Sequence, residues 1–247
     1  LGLGLTALLL LTVARGDLLD NWRKKSPVDG PNRFVINIQP DQRIPIKELF
    51  SANGLVVPLL EPMVRGRLVA VNGKAIGPES FTDDRAQRLV DREFNLSWSN
   101  QLPRGNTVTG GIFHGEKLGT ELSVEQGLAD TLDLKLDDKL AYDIAGQRFE
   151  GVVTSLRKLD WDSMRVNFFV LAADGELEKF PASYITSFYL PYEKRGFAVD
   201  LVRAFPNLTF PVTPLVVNSI VNAPLKSGFS YRTIPLLTPV IRVSASW

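Results

Sequence analysis

A chain of 247 residues with a formal net charge of +1, 45% hydrophobic and 22% charged, has an ordinary globular composition with room for one large domain or two small ones. The near balance of charge argues against a nucleic-acid surface, which needs a clear excess of Lys and Arg. The absence of cysteine removes disulfides, thiolate zinc sites and cysteine nucleophiles together.

Leu1 to Ala14 (LGLGLTALLLLTVA) is an apolar run without a charge, ending at Arg15-Gly16-Asp17. Such a run reaches roughly 21 Å as a helix, short of a hydrocarbon core of about 30 Å. It reads as the C-terminal part of a transmembrane helix, with a stalk to Lys25. A signal peptide is the main competitor, but it places its basic region before the apolar run and a small-residue cleavage site after it. A buried core helix fits less well, since no polar face interrupts the run. Trp22 suits an interfacial position. The basic flank Arg15, Arg23, Lys24 and Lys25 does not decide the side of the membrane, because long domains translocate largely regardless of charge.

Residues 26–207 carry the periodic elements. Arg33 to Gln39 alternates Phe34, Ile36 and Ile38 against polar neighbours and predicts a half-buried strand. Ile46 to Asn53 predicts a short helix closed at Asn53-Gly54. Met63 to Val71 predicts a second strand, turned at Asn72-Gly73. The mixed charges of Thr82 to Phe94 around Ala86, Leu89 and Val90 predict a solvated helix face or a charged strand edge, with a binding surface as the alternative. Ser123-Val124-Glu125-Gln126 has the spacing of a capping box, with a helix through Leu132. Lys139 to Ile144 and Gln147 to Leu159 predict a long hairpin turned at Ala145-Gly146, with Val152, Val153 and Leu156 as its apolar residues. Arg165 to Leu171 and Ile185 to Leu190 predict strands, and Tyr192 to Phe205 a last helix. Hairpins with segregated short helices define an α+β fold with largely antiparallel sheets.

Residues 208–247 differ. Phe210 to Trp247 has no Asp or Glu and five of the sixteen prolines, with neither periodicity surviving them, so the tail is expected to be disordered or of doubtful structure.

No constellation points to an enzyme. His114 is the only histidine, no G-x-S-x-G elbow supplies a serine partner, and the expectation is a surface loop histidine. A histidine zinc site lacks partners, while an oxygen-only Ca²⁺ or Mg²⁺ site stays open. Asp83-Asp84, Asp137-Asp138 and Asp160-x-Asp162 lack EF-hand spacing and read as turns or caps. No phosphate loop occurs, so no cofactor is expected and any ATP is hydrolysed by another chain. The most particular stretch is Leu156 to Phe169 (LRKLDWDSMRVNFF). It reads either as a hairpin turn or bulge with a packed Trp, or as a partner-contact surface of Arg157, Lys158, Asp160, Trp161, Asp162 and Arg165, since Trp and Arg dominate interfaces.

Four segments, Pro31 to Gln42 (PNRFVINIQPDQ), Pro62 to Val71 (PMVRGRLVAV), Arg88 to Trp98 (RLVDREFNLSW) and Leu156 to Phe169, together resemble the predicted permeases of the FtsX-like family. The closest branch is the large permease encoded beside an ABC ATPase and a periplasmic lysophospholipase/thioesterase, and Ser123 to Val153 is similar to its extracytoplasmic core domain. The resemblance covers about Leu1 to Asn207. It implies a bacterial inner-membrane protein whose main domain, from Arg33, is periplasmic. It implies a cytoplasmic ABC ATPase partner, a periplasmic hydrolase partner, and a role in transmitting force without catalysis. The family would run after Leu208 into a helix and a second membrane span; the tail departs from this, and a frameshifted or wrongly joined gene end is the expected reason. The competing readings are a membrane-anchored hydrolase using Asp160 or Asp162 and a scaffolding module.

Overall fold

The computed structural model describes residues 30–114 and 120–210, so the apolar run at 1–14, the stalk and the tail beyond Phe210 lie outside the described residues. The fold is α+β: the described residues form ten strands and four short α-helices, with eight of their ten strand pairings antiparallel. Among the described residues no helix is long and apolar enough to cross a membrane.

β1 (Arg33–Ile38) leads through one 3-10 turn into α1 (Arg43–Ala52). The strict alternation expected of β1 fails at Asn37, whose φ of 66° breaks the register between Val35 and Ile38. Asn tolerates this left-handed conformation at low cost. Its effect is to put Val35 and Ile38 in one apolar cluster and Phe34 in another, so both faces of the strand are covered. α1 buries Ile46 and Phe50, one turn apart on one face. It ends as expected: Gly54 (φ 60°) donates to the Ser51 carbonyl and Leu55 to that of Phe50, each at 3.0 Å, satisfying carbonyls the helix leaves free.

β2 (Glu61–Val71) turns at Asn72-Gly73, both with positive φ, into β3 (Lys74–Ala75). The charged stretch that follows resolves into α2 (Asp84–Val90) and β4 (Phe94–Trp98). Asp83 caps α2 by accepting from the amides of Arg85 (3.0 Å) and Ala86 (2.9 Å). β5 (Asn106–Gly111) and β6 (Glu121–Glu125) precede α3 (Gln126–Leu132). The capping box expected at Ser123 does not form. Ser123 is a buried strand residue, and Glu125 caps α3 by accepting from the Leu128 amide at 2.6 Å. β7 (Lys139–Ile144) and β8 (Gln147–Leu159) form the expected hairpin about Ala145-Gly146. β9 is only Val170–Ala172, shorter than the strand expected over Arg165 to Leu171, and β10 is Ser183–Phe188. The last helix splits into a 3-10 turn, Tyr192–Lys194, and α4 (Phe197–Ala204).

Two bodies result. In the first, β2, β4, β9, β6, β8 and β7 are paired in that order and β7 pairs back to β2, closing a six-stranded circuit. Alternate residues fill it, as in other small closed sheets: Val64 and Leu68, Phe94 and Leu96, Leu122 and Val124, Leu140 and Tyr142. Gly66 is required there, because a Cβ would stand 2.9 Å from Ile144 and 3.0 Å from Leu96. The second body is a layer in which α1 and α4 cover β1 and β10, with Phe50 edge-on to Phe188 (4.8 Å) and Phe197 (4.7 Å). A small cluster of Phe34, Met63, Phe168, Leu171 and Ile185 joins the two.

The described chain closes on itself. Ile36 and Thr209 exchange amide–carbonyl bonds at 3.0 and 3.2 Å in an antiparallel bridge, and Leu208 is buried in the layer, so the fold continues past Asn207. Antiparallel to β1, the chain at Thr209 heads back toward Arg33, the end at which β1 begins.

Candidate functional site

The Leu156–Phe169 stretch is not a hairpin. β8 and β9 are not neighbours, because β6 lies between them, parallel to β8 and antiparallel to β9. Residues 160–169 therefore cross over β6. A bulge prepares this: Leu122 pairs with Val153 but Ser123 with Ser155, so Thr154 is the extra residue and the strand's faces exchange beyond it. Val153 points into the closed circuit, whereas Ser155 bonds Ser123 on the outer face at 2.8 Å.

Arg157 follows on that outer face and is fully buried under the crossover. Its guanidinium donates to Asn106 Oδ1 at 2.6 Å and to the Phe168 carbonyl, and Asn106 donates onward to Asn167 Oδ1 at 3.0 Å. One side chain thus ties β5, β8 and the far end of the crossover together. Burial lowers its pKa to about 9, opposed by the nearby Glu125 carboxylate. A cation held this deep is stabilised by its fixed acceptors, and removing it strands them.

The six expected contact residues therefore divide. Arg157 is internal and presents no surface. Lys158 and Asp160 are exposed, and Trp161 is half-buried, its ring edge-on to Phe169 at 5.7 Å against the core of the circuit. Asp160 starts the crossover through its backbone: its amide donates to the Gly105 carbonyl (2.9 Å) and its carbonyl accepts from Ser163 Oγ (2.7 Å). Asp162 lies in the same turn, Trp161–Ser163. Arg165 is half-buried in a cleft of about 490 Å³ shared with Pro31, Val56, Leu59, Leu102 and Arg104.

His114 lies in a turn, but the expectation of a surface histidine needs correction. Its ring is half-buried against Phe113 at 4.0 Å, with a backbone φ of 40°, and neither ring nitrogen has a hydrogen-bond partner among the described residues. Burial lowers its pKa to about 4. Asp83 and Asp138 are structural; Asp138 accepts from the Lys135 amide (2.7 Å) and Asn72 Nδ2 (2.8 Å). Among the described residues no group of three or more acidic or histidine side chains is placed to hold a metal ion.

The sequence reading passed over two features. One is the network around Arg157; its signal is the three-residue step from Val153 to Leu156, which breaks strand periodicity. The other is the loop after α1, where Val56 and Leu59 are 88% and 72% exposed. Its signal is an apolar run, LVVPLL, that fits no element.

Among the described residues, then, a small closed mixed sheet carries an attached helical layer. No family model matches the chain. It is 38% identical over 202 residues to YbbP, an uncharacterized ABC transporter permease of Escherichia coli (strain K12). The match takes in 82% of this chain, which spans 24% of the length of that relative.

Proposed function

We propose that the chain supplies the extracytoplasmic domain of an ABC-type permease subunit of the bacterial inner membrane. In this reading the domain couples ATP hydrolysis by a cytoplasmic ABC ATPase to the export or extraction of lipid or hydrophobic substrates, and it carries no catalysis of its own. The observation that carries the reading is the Ile36–Thr209 bridge, which brings the described chain out beside the point where it begins, as a domain inserted between two membrane segments requires. The similarity to a permease and the apolar run at Leu1 to Ala14 support it.

The same closure supplies the test. Residues 31–209 can be replaced by a short Gly/Ser linker in a permease reconstituted with its ATPase, because the two junctions are neighbours. ATP turnover should persist while extraction of a fluorescent lipid is lost. Undiminished extraction would reduce the domain to scaffolding.

A periplasmic partner, such as a lysophospholipase or thioesterase, is proposed to meet the start of the crossover at the exposed Lys158 and Asp160, beside Trp161. Lys158→Glu combined with Asp160→Lys should weaken that association without moving the thermal melt, since both side chains are exposed. A shifted melt with unchanged association would return the segment to a structural role.

A further inference from the structure

The end of the molecule at which the chain enters carries a set of side chains that neither the circuit nor the layer uses. Val56 and Leu59 stand in solvent beside Pro31, and Leu102 is 39% exposed on the same cleft. This loop is tied down: Lys194 Nζ donates to the carbonyls of Asn53 (2.7 Å) and Gly54 (2.9 Å). That bond brings the turn Tyr192–Lys194 alongside, with Tyr192 74% exposed and Arg195 stacked 4.4 Å over its ring. Asn32 and Leu190 exchange two hydrogen bonds, at 2.8 and 3.1 Å, which places the start of β1 next to the same turn. One end therefore combines exposed aliphatic tips on a loop anchored at its start, an interfacial type of aromatic, and the cations Arg104, Arg165, Lys194 and Arg195 against the carboxylates Glu61 and Glu193.

We infer that this end, led by Val56 and Leu59, rests on the lipid surface, with the aliphatic tips in the headgroup–acyl boundary and the cations at anionic headgroups. Aliphatic tips, aromatic rings and cations are the three side-chain classes a bilayer interface favours. The chain outside the described residues points to the same occupant: Pro31 is preceded by only a short stretch after the apolar run ending at Ala14, and that stretch holds Trp22 and the cluster Arg23, Lys24 and Lys25, with Arg15 set against Asp17, Asp20 and Asp29. A domain tethered there has its Pro31 end nearest the membrane. The inference rests on the proposed membrane tether, and it adds that the domain has a fixed orientation on the bilayer.

The absence of cysteine makes the test direct. The full chain carrying Val56→Cys or Lys74→Cys is spin-labelled and incorporated into vesicles of phosphatidylethanolamine and phosphatidylglycerol. Lys74 is exposed beyond the far end of β2, roughly 30 Å from Glu61 at strand spacing. Collision with lipid-soluble oxygen, relative to a water-soluble nickel chelate, should be several-fold higher at Val56 than at Lys74. Equal, nickel-dominated accessibility at both sites in a chain that floats with the vesicles would overturn this inference and leave the tether standing. Spin–spin broadening at Val56 would instead assign the loop to a second copy and overturn it equally. A chain that fails to float at all would overturn the tether, and the docking with it.

Discussion

The closed circuit and the helical layer are held together in different ways. The circuit holds one tight hairpin, β7 with β8, and its other pairings stay within the middle of the chain, from Gly66 with Phe94 to Arg67 with Asp143. The layer is assembled from the two ends of the described chain: Asn32 meets Leu190 across 158 residues, and Gln42 meets Asn207 across 165. Loop-closure entropy must be overcome before such contacts stabilise anything, so the layer is expected to form after the circuit and to open before it. The unit expected to open first is thus the one beside the two ends of the described residues.

The sharpest way to break that comparison is a pair of core truncations. Phe50→Ala removes a fully buried ring from the layer and Leu122→Ala a fully buried side chain from the circuit, each costing about 3 to 5 kcal/mol. In native-state hydrogen exchange, Phe50→Ala should strip protection from α1, β1, β10 and α4 while β6, β7 and β8 keep theirs. Leu122→Ala should lower protection in both. Uniform loss in Phe50→Ala would show one cooperative unit.

Arg157 tests whether the crossover belongs to the circuit. Arg157→Ala leaves Asn106 Oδ1 and the Phe168 carbonyl without their donor and opens a cavity, which should cost about 3 kcal/mol. Thermal melts would give the size, and exchange would give the location: lost protection in β5 and β9 with an intact layer. A change below about 1 kcal/mol would mean that the apolar cover of the crossover holds it without the guanidinium.

What the sequence made legible follows the same division. Asn72-Gly73 and Ala145-Gly146 announce hairpins because positive φ at two successive residues is a local requirement. The helix end at Asn53-Gly54 is local too. The misreadings at the crossover and at Ser123 concern long-range pairing. The Leu156–Phe169 stretch looks like a hairpin because nothing local says that β6, far earlier in the chain, inserts between β8 and β9. Arg157 looks like a surface residue because the bulge at Thr154 that turns it beneath the crossover is set by the partner strand. Ser123 has capping-box spacing, but pairing with β8 claims it for β6 first. The crossover was therefore visible in the sequence as an unusual segment, and its internal role was not.

His114 sharpens the comparison through pH. Its pKa falls from an ordinary 6.5 to about 4 in the folded chain, so between these values the unfolded state binds the extra proton. Stability is then full above about pH 6.5 and falls as pH drops toward 4, by about 1 to 3 kcal/mol from this ring. His114→Asn suits the positive φ and removes the titration. The difference between the two urea midpoints should shrink with falling pH, as the wild-type chain loses the larger share. Parallel pH profiles would place His114 in contact with water.

The smallest effect concerns a fully buried hydroxyl inside the circuit. Tyr142 is wholly inside the circuit, its ring edge-on to Phe94 at 6.3 Å, and its hydroxyl has no hydrogen-bond partner. Burial pushes its pKa further up, so it stays protonated throughout the physiological range. A buried hydroxyl without a partner carries its desolvation cost uncompensated, whereas one with a partner contributes about 1 kcal/mol. Tyr142→Phe keeps the ring and its neighbours and removes only the oxygen. It should therefore leave the urea midpoint unchanged or raise it, with the same slope. The polar seam of the layer makes the contrast: Asn207→Ala removes donors to the Asn37 carbonyl (2.8 Å) and to Gln42 Oε1 (3.1 Å) and should lower stability by about 1 kcal/mol. A larger loss from Tyr142→Phe than from Asn207→Ala would mean that the circuit's interior, like the layer's seam, is held by a polar contact.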